Sequence, residues 1–60
     1  MTGAERRNDM LSRIKSSAVP VSGKEMARIY EVSRQVIVQD VALLRAAGND
    51  IISTNRGYIL

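Results

Sequence analysis

Sixty residues allow one domain at most, of marginal stability, because so short a chain buries only about 60% of its unfolded surface. Cys and His are absent and the only aromatic residues are Tyr30 and Tyr58, which excludes disulfides, thiolate metal centres and imidazole catalysis and leaves an aliphatic core. Nine Lys and Arg against six acids give a net charge of +3, compatible with a polyanionic partner or with an ordinary solvated surface.

The opening "MTGAERRND" runs straight into an amphipathic segment and is no secretory signal, and no apolar run approaches the ~20 residues of a membrane span. The expectation is a cytoplasmic protein without membrane contact. "AERRNDMLSRIKSS" predicts the first helix, with Met10, Leu11 and Ile14 on one side. Thr2 is placed to cap it and Glu5 to close a capping box. "AVPVS" cannot be helical, since Pro20 drives Val19 towards an extended conformation. This stretch is expected at the edge of a small sheet.

"SGKE" predicts a second capping box, with Ser22 at the cap and Glu25 three residues on. The helix it opens, "GKEMARIY", is short and places Met26, Ile29 and Tyr30 on one side. Its small central Ala27 permits close approach of another helix. The pattern breaks at "YEVS", and Ser33 caps a longer helix, "RQVIVQDVALLRAAG", which Gly48 ends. The remainder changes period. "IIST" and "YIL" are β-prone runs around the turn signal "NRG", and predict a hairpin.

The long helix, about residues 34–47, carries the chemistry. At about 100° per residue, Ile37, Val41 and Leu44 fall in one narrow sector and form a core stripe. Gln35, Gln39 and Ala42 cluster opposite, with Val38 on one flank. Val36 and Leu43 share the other flank, towards which the hairpin is expected to pack. A short capped helix, a tight turn and a longer helix with polar residues at its start is the helix-turn-helix layout. Val32 is then the apolar plug of the turn, and Glu31 stands where that turn usually has Gly. With a hairpin following, the predicted fold is mainly α with a small β-hairpin: a winged helix-turn-helix of three helices plus a wing, over residues 1–60.

In that fold the second helix of the motif enters the major groove, and Ser33, Arg34, Gln35, Val38 and Gln39 are the expected base-reading set. Arg donates two bonds to guanine, Gln pairs bidentately with adenine, and Val offers a surface to the thymine methyl. For the helix taken alone, a solvated face that happens to hold two Gln is an equally good account. Ser22, Lys24 and Thr54 are expected at phosphates, through a helix N-terminus and hydroxyls. Asn55 and Arg56 form the wing tip, and Arg56 is suited to the minor groove. Arg6 and Arg7 either reach phosphate or are simply solvated. Asp40 borders the core stripe and is expected to pair with Arg28 or Arg45. No acids share a face with a base or a nucleophile, so an enzyme is not expected.

"SRQVIVQDVALLRAAG" followed by "RGYIL" also resembles a family, the niacin-responsive transcriptional repressors of NAD biosynthesis, over about residues 6–60. Its wider relatives are the winged helices of the biotin-repressor type. The resemblance implies a repressor that binds a double-stranded operator as a homodimer. It also implies a C-terminal ligand-sensing domain whose three histidines hold a divalent metal and which binds nicotinic acid. This chain has no His, so these residues are expected to hold neither cofactor and to be a fragment of a longer protein. Two rivals stand beside this reading. One is a winged-helix module for protein binding, which Val36, Val38 and Leu43 would serve. The other is an autoregulatory DNA-binding domain of a biotin-ligase-type enzyme.

Overall fold

A computed structural model describes residues 1–60. The chain forms α1 (Gly3–Ser16), α2 (Gly23–Tyr30), α3 (Arg34–Ala46), β1 (Ile52–Thr54) and β2 (Gly57–Ile59), the three helices and hairpin of a winged helix-turn-helix. Each helix starts at a hydroxyl. Thr2, Ser22 and Ser33 have extended backbones, and their oxygens accept from the N–H of Glu5, Glu25 and Val36. Thr2 and Glu5 make the full capping box. The box expected of Ser22 and Glu25 is only half made: the Glu25 carboxylate turns outward to Arg28 instead of back to the cap. A cation one turn away competes well with a single backbone N–H. At the far end α3 stops at Ala46, one residue short of the expected boundary, and Gly48 takes φ 100° just beyond it.

Periodicity places the core correctly. Met10 and Ile14 of α1, Met26 of α2, and Ile37, Val41 and Leu44 of α3 bury together with Val21 and Ile51. Ala27, Tyr30, Val32 and Tyr58 pack around them. Burying eight apolar side chains, at roughly 1.5–3 kcal/mol each, is what fixes the helices against one another.

The turn between α2 and α3 is tight because Glu31 adopts the left-handed conformation, φ 56° and ψ 46°. Its N–H and that of Val32 then return to the Arg28 and Ala27 carbonyls. A side chain in this region costs roughly 1–2 kcal/mol, which glycine avoids. Glu31→Gly is therefore expected to stabilise the fold by about 0.5–1 kcal/mol, the entropy of an extra glycine offsetting the rest. Urea unfolding checks this, and a lower midpoint would show that the Glu31 side chain contributes more than its strain costs.

Two expectations about the flanks of α3 fail. The hairpin does not pack on Val36 and Leu43, and Leu43 stays 53% exposed. It lies on the opposite flank, where Arg45 Nε donates to the Ile51 carbonyl at 2.8 Å and the Arg45 guanidinium to Ser53 Oγ at 2.9 Å. Asp40 pairs with neither Arg28 nor Arg45. Its carboxylate is buried at 2% exposure and receives Arg6 Nε at 2.5 Å and Arg7 at 3.2 Å, both from the first turns of α1. The two arginines are therefore engaged within the protein, and are neither free at a phosphate nor merely solvated.

Burial pushes the Asp40 carboxyl up, but the hydrogen bonds and charges of Arg6 and Arg7 outweigh it and hold the group below its ordinary value of 3.8. A carboxyl depressed in the folded state stabilises above its unfolded pKa and loses that contribution as pH falls through the folded value. Stability should therefore decline below about pH 4. Asp40→Asn should make the decline shallower but not abolish it, because Thr2 lowers Glu5 and Arg28 lowers Glu25. Urea midpoints across acid pH test this, and identical slopes in the two proteins would remove Asp40 from the account.

The hairpin pairs Ile52 with Ile59, Ser53 with Tyr58 and Thr54 with Gly57, so its loop is only Asn55 and Arg56. The expected extended stretch around Pro20 does meet the sheet edge, at one residue. Val21 and Tyr58 exchange backbone hydrogen bonds at 3.0 and 2.8 Å.

Candidate nucleic-acid interface

Because Ile37, Val41 and Leu44 take the inner side of α3, the helix must turn Gln35, Val38 and Gln39 outward. All three are exposed, Val38 at 51%. Each Gln side chain keeps both a donor and an acceptor for an outside partner, the pair that matches the exposed edge of adenine. Ser33 stands at the start of this face. Its oxygen accepts from Val36 N–H at 3.2 Å, and its own proton remains available.

Arg34 leaves that face. Its side chain runs back over the start of α2, so close that a Cβ on Gly23 would lie 3.0 Å from Arg34 Nε and 3.4 Å from the Tyr58 ring. Arg34 and Arg45, about three turns apart, thus point along one flank of α3 towards the hairpin. The Gly23 hydrogen, the Tyr58 ring and the hairpin together define a concavity of about 350 Å³ lined by Ser22, Lys24, Arg34, Ser53, Thr54, Asn55 and Arg56.

The concavity contains three cations and no acid. Most cations elsewhere are matched. Arg6 and Arg7 meet Asp40, Arg13 meets Asp9, Arg28 meets Glu25, and Arg45 is held by β1. Lys24, Arg34 and Arg56 have no such partner. In addition, Gly23 and Lys24 begin α2, where the first backbone N–H groups lie beyond the reach of the helix's own carbonyls.

The hydroxyls divide by role. Ser22 accepts from Glu25 N–H at 2.9 Å and keeps its proton for another acceptor. Thr54 accepts from Arg56 N–H and donates to the Gly57 carbonyl at 2.7 Å. Its proton is committed to the turn, so it shapes the wing in place of offering a hydrogen bond outward. Asn55 and Arg56 are exposed at the tip.

The sequence-based set therefore divides into two parts. Gln35, Val38 and Gln39 lie on the outer face of α3, while Lys24, Arg34 and Arg56 lie around the concavity beside it. Sequence reasoning missed Gly23, Tyr58 and Arg45, which position the second part. The one available signal was a glycine directly after a capping serine, where a better helix former would ordinarily stand. No group of acids is placed to hold a metal ion, and no helix is long and apolar enough to cross a membrane.

A protein-family model described as an HTH domain matches residues 6–59. The chain is 48% identical over 59 residues to "Transcription repressor NadR" of Bacillus subtilis (strain 168), an alignment covering 98% of this chain and 33% of that protein. It is also 48% identical over 56 residues to "Probable transcription repressor NiaR" of Thermotoga maritima, covering 93% of this chain and 32% of that protein. The chain thus spans about a third of the length of the curated relatives it matches.

Proposed function

This chain belongs to the HTH domain family, and from that premise we propose that it is the DNA-binding domain of a bacterial transcriptional repressor controlling NAD and niacin metabolism. It acts in the cytoplasm and by binding, not by catalysis. α3 lies in the major groove, where Ser33, Gln35, Val38 and Gln39 form the base-facing edge, with Arg34 turned aside towards the hairpin. Ser22 and Lys24 lie along the backbone, Thr54 shapes the wing, and Asn55 at the wing tip stands towards the minor groove with Arg56 at the phosphate beside it. One such domain reads few base pairs, so the working unit is a homodimer on a palindromic operator. The dimer contacts and the ligand-sensing part belong to a longer chain.

The observation that carries this reading is the surface itself. At the second helix of a helix-turn-helix, two uncommitted glutamine amides and a half-exposed valine adjoin three unmatched cations. Matching to base edges explains the first group, and attraction to phosphate explains the second.

Titration of the chain with a mixed-sequence DNA duplex, followed by backbone amide shifts at two salt concentrations, tests the proposal. Residues 33–39 and 54–57 should shift together, and binding should weaken with salt as counterions are released. If no amide shifted at low salt, a protein partner at the Val38 surface would become the better account.

A further inference from the structure

We propose that Lys24, Arg34 and Arg56 form one pocket for a single backbone phosphate of DNA, and that Gly23 is glycine so that Arg34 can lie across the start of α2 to reach it. The inference rests on the DNA-binding reading and sharpens it: Arg34 serves as a phosphate clamp joining the helix-turn-helix to the wing, and base choice is left to the residues after it.

Three observations support this. First, the Arg34 side chain is directed away from the outer face of α3. It lies against Gly23, with Nε 3.0 Å and Cδ 3.8 Å from where a Cβ would stand, beside the Tyr58 ring. In that position the guanidinium points away from the edge that Gln35 and Gln39 present. Second, the pocket brings three positive side chains from three separate elements together without a carboxylate, although the chain has six acids. Mutual repulsion makes such a grouping unfavourable unless an anion joins it. Third, Lys24 stands in the first turn of α2, where its N–H has no carbonyl of its own helix to meet, and Ser22 beside it retains a hydroxyl proton. A phosphate's oxygens would therefore meet neutral donors on one side and guanidinium and ammonium groups on the other, the combination that suits a singly charged diester. Gly23 is the positioning residue: an alanine methyl there would push the Arg34 side chain outward by a few tenths of an ångström without altering any charge.

The test compares wild type, Arg34→Ala and Gly23→Ala. Affinity for a mixed-sequence duplex is measured across a KCl series, and base preference by selection from a randomised duplex pool. A lost phosphate contact removes about 0.9 from the slope of log affinity against log salt. Arg34→Ala is expected to show that loss, with several-fold weaker binding and an unchanged ranking of selected sequences. Gly23→Ala is expected to weaken binding and flatten the slope in the same direction although its charge is unaltered. Its amide spectrum and melting serve as the control for folding, and Arg34→Ala, an exposed position, carries the test alone if Gly23→Ala does not fold.

If Arg34→Ala kept the wild-type slope and lost preference at one base position, Arg34 would be a base reader and the pocket proposal would fall while DNA binding stood. If the wild-type chain bound no duplex at low salt, both readings would fall together. A third arm uses inorganic phosphate. Shifts at the Gly23 and Lys24 amides with phosphate, and none with duplex, would assign the pocket to a free phosphate and overturn the DNA assignment.

Discussion

The Ile37→Ala chain is expected to lose about 2–5 kcal/mol of stability, the range for an aliphatic side chain removed from a closed core. Ile37 is fully buried, at the centre of the stripe that α3 turns towards Met10 and Met26. Native stability is roughly 0.05–0.15 kcal/mol per residue, so for a domain this small the loss is comparable to the whole. The variant should be largely unfolded under conditions where the wild type is native. Val38→Ala supplies the contrast. Its side chain is the next along the helix yet 51% exposed, and its removal should change stability by no more than about 0.5 kcal/mol. Urea unfolding followed by far-ultraviolet circular dichroism measures both. Comparable midpoints would mean that the helix is rotated from the phase described, and with it every residue assigned to the outer face.

The second large effect is expected at Gly57. Its φ is 141°, and a Cβ there would lie 2.5 Å from the Val21 carbonyl carbon and oxygen and 2.7 Å from the Ser22 nitrogen. All three are backbone atoms, so no side chain can move aside. In Gly57→Ala the hairpin must separate from Val21. Two backbone hydrogen bonds are then lost, at about 1 kcal/mol each, and Tyr58 withdraws from the core. With the strain at this φ, the cost should be on the order of 2–4 kcal/mol. The helices keep most of the core, so thermal melting should move down while helical content at low temperature survives. Affinity for duplex DNA should fall with it, because Arg56 would no longer stand opposite Lys24 and Arg34. A variant with wild-type melting and wild-type affinity would show that the hairpin is not held at Val21.

Much of this fold is written locally. The three capping hydroxyls, the core stripe of α3 and the turn at Asn55–Arg56 each depend on residues within a turn or two of one another, which is the range over which periodicity and capping act. The placement of the hairpin does not. α3 offers an apolar flank at Val36 and Leu43 and a polar one at Arg34 and Arg45, and apolar burial alone favours the first. The second wins because Arg45 satisfies the Ile51 carbonyl and because Tyr58 fills the space over Gly23. Asp40 shows the same limit. Its partners lie 33 and 34 residues away, and Arg28 and Arg45 were closer in sequence but not in space. The candidate site is divided in the same way. The outer face of α3 is legible from its helical phase, whereas the direction of the Arg34 side chain depends on a glycine and a tyrosine from other elements.

The Asp40 pairing also bears on how the molecule opens. It fastens the first turns of the first helix to the middle of the third, across more than half the length of the chain. Neither helix can detach without parting the Asp40 carboxylate of α3 from the Arg6 and Arg7 guanidiniums of α1 that neutralise it. Fraying from the amino terminus is thereby converted into disruption of the whole domain, and the slowest-exchanging amides of α1 and α3 should share one global opening free energy. A surface held in this way meets its partner already rigid, with little ordering entropy left to lose on contact.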